Sequence, residues 1–151
     1  VNYGLILETE EKISEEGLKK SSAKIAEPGT VLLALYGQGK TRGRVAKLGI
    51  QAAMNQACLA IIPNERINND FLMFFLQMSY EKLRSKSVGG NQSNLSARLV
   101  QSLEIPIPSL DTQNKIVKNL KEENEQIRSV VNIVNNFELK IKSCIDEVWE
   151  Q

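Results

Sequence analysis

The feature that most constrains this chain is a heptad series near its C-terminal end. From Asp111 onward, Ile116, Leu120, Ile127, Val130, Val134, Phe137, Ile141, Cys144 and Val148 fall at alternating spacings of four and three, and Glu123 alone breaks the series. A repeat of 3.5 residues holds one apolar stripe on one side of a helix and presents it to a neighbouring helix, the pattern of a coiled coil. Lys and Glu fill the outer positions. The spacing predicts a helix from about 111 to 149, roughly 58 Å long at about 1.5 Å per residue. A compact domain built from the remaining residues is too small to cover it. The stripe therefore needs a partner helix, expected here to be antiparallel within a homodimer.

The 151 residues suit one domain followed by such a helix, with a boundary expected between 1–108 and 109–151. An apolar fraction of 42% and a charged fraction of 25% are enough to bury a core. The longest apolar runs are too short to cross a bilayer and no signal peptide is visible, so a cytoplasmic protein without a membrane role is expected. The chain starts abruptly in an apolar segment, which reads as a piece of something longer.

Histidine is absent, and with it the commonest general base, metal ligand and partner of a nucleophilic Ser or Cys. The two cysteines, Cys58 and Cys144, have no ligand-spaced partners and, among apolar neighbours, read as buried free thiols. No metal and no cofactor are expected. Glu138-Leu139-Lys140 spells a nuclease-like Glu-x-Lys but lies inside the heptad helix, where a solvated face is the simpler account. A non-catalytic chain is the expectation.

Between the N-terminus and the helix, alternating runs predict a mixed α/β (α+β) domain with a small, mostly antiparallel, twisted sheet and short helices. Tyr3–Leu7, Thr30–Tyr36, Arg44–Ile50 and Ala57–Ile62 have strand length and composition, the last stopped by Pro63. Residues from Ser21 to Gly29 read as a polar lead-in and turn, and those around Asn55-Gln56 as a small-residue turn. Asn68, Asn69 or Asp70 can cap a helix from Phe71 that stops before Gly89-Gly90. Ser96 can start a short helix, and Ile105-Pro106-Ile107-Pro108 forces an extended segment.

The net charge of +1 hides a pattern. Residues 1–37 sum to −2, residues 38–98 to +6 and residues 99–151 to −3, so the middle third is where a polyanion would sit. The charge is densest between Gly37 and Lys47, where Lys40, Arg42, Arg44 and Lys47 accompany Gln38 and Thr41 on a backbone freed by Gly37 and Gly43. Cations of this kind grip phosphates, while Arg, Gln and Asn can read base edges. A second polar stretch holds Gly90, Asn91, Gln92, Ser93, Asn94 and Arg98, with Lys86 just before it. Asn55 and Gln56 are either a third polar contribution or a buried amide pair bonded to loop backbone.

Ala34–Thr41, ALYGQGKT, also matches a relaxed nucleotide phosphate loop, which makes a small ATPase using Gly39-Lys40-Thr41 the alternative. Such a loop must open a helix whose N-terminus holds the phosphates. Arg42-Gly43-Arg44-Val45 puts a glycine and a β-branched residue where its first turn should be.

Taken in order, several segments resemble one family. They are Pro28-Gly29-Thr30-Val31-Leu32-Leu33, Tyr36-Gly37, Gly43-Arg44-Val45, Asn55-Gln56-Ala57-Cys58, the Phe/Leu-rich helix from Phe71, Gly90–Leu95, Ile105–Pro108, and Gln113 leading into the long helix. The set, covering roughly residues 28–150, is similar to the target recognition domain of type I restriction–modification specificity subunits. The resemblance implies a globular DNA recognition domain followed by a spacer helix. Relatives carry two such units with antiparallel spacer helices, each reading half of a split site in double-stranded DNA. They recruit DNA adenine methyltransferase (modification) subunits and a restriction subunit, and are prokaryotic and non-catalytic. This chain has one unit, which implies a half-subunit, a fragment or the terminal module of a fusion, and self-pairing of its helix would rebuild the two-domain form.

Overall fold

The computed structural model describes residues 1, 3–37, 40–86 and 95–149, with the Lys86 side chain excluded. The chain divides into two compact units, Val1–Asn114 and Lys115–Gln151. In the first, β1 (Leu5–Ile6), β4 (Val45–Leu48), β3 (Val31–Ala34) and β6 (Cys58–Ile61) form a four-stranded sheet in the order β1-β4-β3-β6. β3 runs antiparallel to both neighbours, with Leu32 opposite Ala46 and Ala60, and β1 is parallel to β4. A separate antiparallel pair joins β2 (Lys24–Ala26) to β5 (Ala52–Met54).

β3 shows no apolar–polar alternation because both its faces are covered. Val31 and Leu33, with Leu35 and Val45, pack against Leu72, Met73 and Leu76 of α2 (Asn69–Met78) and against Leu83, Leu95 and Val100. Leu32 points the other way, onto Leu48 and Ala26, with Ala52, Met54 and Ala60 around them. The β2–β5 pair thus roofs the second face. Sequence reading assigned its two strands to a lead-in and a turn, and missed the helix α1 (Glu15–Lys19). α1 is signalled by a Ser14 cap whose hydroxyl accepts from Gly17 N–H, yet it buries none of its residues and so leaves no apolar stripe to detect.

The expected helix from Phe71 is two helices. Asn68 caps α2, its side-chain oxygen accepting from the N–H groups of Asp70 and Phe71 at 2.8 and 3.2 Å. Ser79 ends it, and α3 (Tyr80–Lys86) follows directly. Serine competes with the helix for backbone hydrogen bonds, which makes it a natural place for the break. α4 (Ala97–Gln101) is capped by Ser96, and the residues through Pro108 are outside helix and strand.

α5 spans Leu110–Trp149, about 60 Å at about 1.5 Å per residue. Along it Ile127, Val130, Val134, Phe137, Ile141 and Val148 are 45–73% exposed, Ile116 is exposed and Leu120 half-buried; Cys144 is exposed rather than buried as expected, because it lies on this uncovered stripe, while Cys58 on β6 is half-buried. Its start is fixed within the first unit by Gln113, whose side chain is fully buried. The Gln113 amide accepts from Asn68 N–H at 2.8 Å and donates to the carbonyls of Arg66 at 3.0 Å and Pro108 at 2.8 Å. Asn114 also accepts from the Asn68 side chain at 2.8 Å.

Candidate nucleic-acid interface

The basic loop joins β3 to β4, and its backbone is held from below. Gly43 N–H donates to Ala34 at 2.8 Å and Ala34 N–H donates to Arg44 at 2.9 Å, which extends the strand pairing into the loop. Gly43 has φ +87°, and a Cβ there would lie 3.3 Å from the Tyr80 ring and 3.5 Å from Leu95. Only glycine combines that backbone angle with so close an approach. Gly37, at φ +134°, has Thr41 Cβ 2.9 Å from where its own Cβ would stand.

α3 holds the loop from the side. Tyr80 donates its hydroxyl to the Lys40 carbonyl at 2.9 Å, and Arg84 donates Nη1 to the Arg42 carbonyl at 3.0 Å. The Arg84 guanidinium lies 5.1 Å from the centroid of the Tyr80 ring, and that of Arg44 lies 5.4 Å from the centroid of Tyr3. Tyr3 adopts φ +63°, a left-handed angle unusual for a non-glycine residue. Burial raises the Tyr3 phenol above its ordinary value of 10.0, Tyr80 adds to the shift and Arg44 opposes it, so the ring stays neutral. Two arginines and two tyrosines therefore form the base of the loop, while Lys40 and Thr41 are exposed at its tip and Arg42 is half-buried.

The structure places the other sequence-predicted residues as follows. Arg98 is exposed on α4. Lys47, expected to grip phosphate, is instead paired with Asp70 of α2, their side chains 22% and 13% exposed. The pairing follows from its position on a central strand under that helix, and it satisfies the ammonium internally. Asn55 and Gln56 are exposed and not buried as a pair. Asn55 does bond loop backbone, accepting from Ala57 N–H at 2.9 Å, and Gln56 accepts from the Ser22 hydroxyl at 3.3 Å. Gln38, Gly39, Gly90, Asn91, Gln92, Ser93 and Asn94 lie outside the described residues, as does the side chain of Lys86. Sequence reading does not single out Tyr3 or Tyr80, and takes Arg84 only as part of the surrounding positive charge, not as an anchor of the loop. The four-residue spacing of Tyr80 and Arg84, which brings them onto one helix face, was the available signal.

After Lys40-Thr41 the chain turns through Arg42-Gly43 and enters β4. A nucleotide phosphate loop requires a helix there. Among the described residues, no three His, Cys, Asp or Glu side chains gather as a metal site would require, and no helix is long and apolar enough to cross a membrane.

Residues 1–136 match the family model of the type I restriction modification DNA specificity domain. The chain belongs to this family. It is 28% identical over 140 residues to the type I restriction enzyme MjaIX specificity subunit of Methanocaldococcus jannaschii, covering 85% of this chain and 32% of that protein. It is 26% identical over 121 residues to the EcoR124I/EcoR124II specificity subunit of Escherichia coli, covering 77% of this chain and 30% of that protein. The chain thus spans about a third of the length of these relatives. The fold is also that of the HsdS subunit from Thermoanaerobacter tengcongensis, with a TM-score of 0.57 at 22% identity over 70% of this chain and 24% of that one. A chain from a structure of complex assembly and conformational transition in the type I R-M system superposes with a TM-score of 0.60 at 20% identity, covering 71% and 26%. As a DNA specificity domain, the chain has its densest cluster of cations on the loop that α3 holds in place.

Proposed function

We propose that this domain reads one half of a split DNA site and has no catalytic centre of its own. The observation that carries the reading is the β3–β4 loop, a run of cations whose backbone is bonded to α3 by Tyr80 and Arg84 before any ligand arrives. A preformed loop loses less entropy on binding than a mobile one. In this reading Lys40, Arg42, Arg44, Arg98 and Lys86 contact phosphates, while Gln38, Thr41, Asn91, Gln92, Ser93 and Asn94 read bases. Lys47 leaves the contact set for its ion pair with Asp70. α5 serves assembly. It pairs with the equivalent helix of a second recognition unit, in a homodimer if the chain acts alone, and the assembled pair brings adenine methyltransferase and restriction subunits to the site in a prokaryotic cytoplasm.

The test is fluorescence anisotropy of labelled duplex DNA between about 50 and 200 mM salt. Replacing Lys40 and Arg42 by alanine should weaken binding and reduce the salt slope by roughly one per cation lost. Unchanged affinity and unchanged slope for any duplex would remove this loop from the interface.

A further inference from the structure

The exposed seam of α5 can accept a second copy of this chain in only one register. Side by side in parallel, every seam residue faces its own counterpart, and Glu123 would set two carboxylates against each other in an otherwise apolar layer. Antiparallel pairing avoids this. The ten seam positions from Ile116 to Val148 overlap completely when the two-fold axis passes at Asn132. Val130 then faces Val134 of the partner subunit, and Glu123 faces Ile141 of the partner subunit. Val131 and Ile133 lie outside the seam, one on each flank, and are 50% and 64% exposed. At this axis each meets its own counterpart, so both are covered.

The same register gives Glu123 a partner. Lys140 of the partner subunit comes to within one residue of the level of Glu123, on the flank of the seam next to it. Symmetry makes the contact twice. A slip of one heptad in one direction replaces that lysine by Glu147 of the partner subunit, and a slip in the other direction replaces it by Ile133 of the partner subunit. Either slip also uncovers two of the ten seam positions. We propose that α5 docks on a second copy of this chain, antiparallel about Asn132, with Glu123 against Lys140 of the partner subunit fixing the register. A single polar position in an apolar seam acts as a register device of this kind. The proposal rests on the assembly role given to α5 above and adds to it the register and the residues that set it.

Sedimentation equilibrium of the full chain tests it, with circular dichroism showing that each variant keeps its helix. Glu123→Lys and Lys140→Glu should each raise the dimer dissociation constant about tenfold or more, because each sets like charges together at both contacts. The double reversal should return it to near the wild-type value. Mixing the two single variants should give a heterodimer, since both contacts are then of opposite charge. A wild-type chain that is monomeric at every concentration overturns the assembly role and this proposal with it. A wild-type dimer that ignores the single reversals, or that they weaken without rescue by the double variant or the mixture, overturns the register alone.

Discussion

Replacing Gln113 by leucine keeps the approximate volume of a fully buried side chain and removes three hydrogen bonds at 2.8, 3.0 and 2.8 Å. Asn68 N–H and the carbonyls of Arg66 and Pro108 lose their amide partner. At about 1 kcal/mol net per bond, the loss is about 3 kcal/mol. For a domain of this size that corresponds to a fall in Tm of roughly 9–15 °C. Near-UV circular dichroism is the suitable signal, because Tyr3, Tyr36 and Tyr80 all belong to the first unit while most of α5 does not. Gln113→Glu sharpens the test. It keeps the acceptor for Asn68 but sets a carboxylate against two carbonyl oxygens, so burial and those dipoles hold its folded pKa above the ordinary 4.3 or so. A folded acid with a raised pKa binds protons more readily than the unfolded chain, so stability should recover as pH falls through the raised value. A loss below about 1 kcal/mol for the leucine variant would refute the view that this amide anchors the start of α5.

Three further outcomes follow from the same contacts. Lys47→Met leaves Asp70 without its ammonium and should cost about 1–2 kcal/mol in urea unfolding, with an unchanged salt slope for DNA; a slope reduced by one would return Lys47 to the interface. Tyr80→Phe and Arg84→Met remove the two side-chain bonds to the loop backbone, and each should weaken DNA binding about fivefold or more at a fixed salt slope, because no phosphate contact is lost. Burial pushes the Cys58 thiol above its ordinary value of 9.0, whereas Cys144 is exposed on the seam. Iodoacetamide should therefore label Cys144 first in dilute protein and more slowly as concentration rises; a rate independent of concentration would argue against a covered seam.

How legible each part was depended on whether local sequence agreed with tertiary demand. The long helix was readable almost to its ends, because ten positions repeat one spacing and Ser109–Asp111 supplies a start. β3, β4 and β6 were readable as apolar runs bounded by glycine or proline. β2 and β5 were not. Alanine fills much of them because they lie close over Leu32 and Leu48, and alanine carries no strand signal of its own. The loop's charge was visible in sequence, but its anchoring was not, since Tyr80 and Arg84 lie about forty positions downstream. The pairing of Lys47 was hidden for a related reason. Sequence shows a cation near others, and only the packing of α2 across β4 reveals the carboxylate beside it.

The nature of those anchors bears on how a recognition domain can change what it reads. Tyr80 and Arg84 bond to the carbonyls of Lys40 and Arg42, and the strand pairing reaches the loop through the backbone of Ala34, Gly43 and Arg44. None of these bonds uses the side chains of Lys40, Thr41 or Arg42. The exposed Lys40 can therefore be exchanged without dismantling the loop that presents it, whereas Gly43 cannot, since a Cβ there would press on the Tyr80 ring. Shape is thus held largely by backbone atoms and by α3, which leaves the exposed Lys40 side chain free of any part in those bonds. α5 divides its duties in the same way. Gln113 fixes its start through backbone carbonyls and an N–H, while Glu123 in the exposed stripe and Lys140 on its flank are the residues proposed to set which helix lies against it.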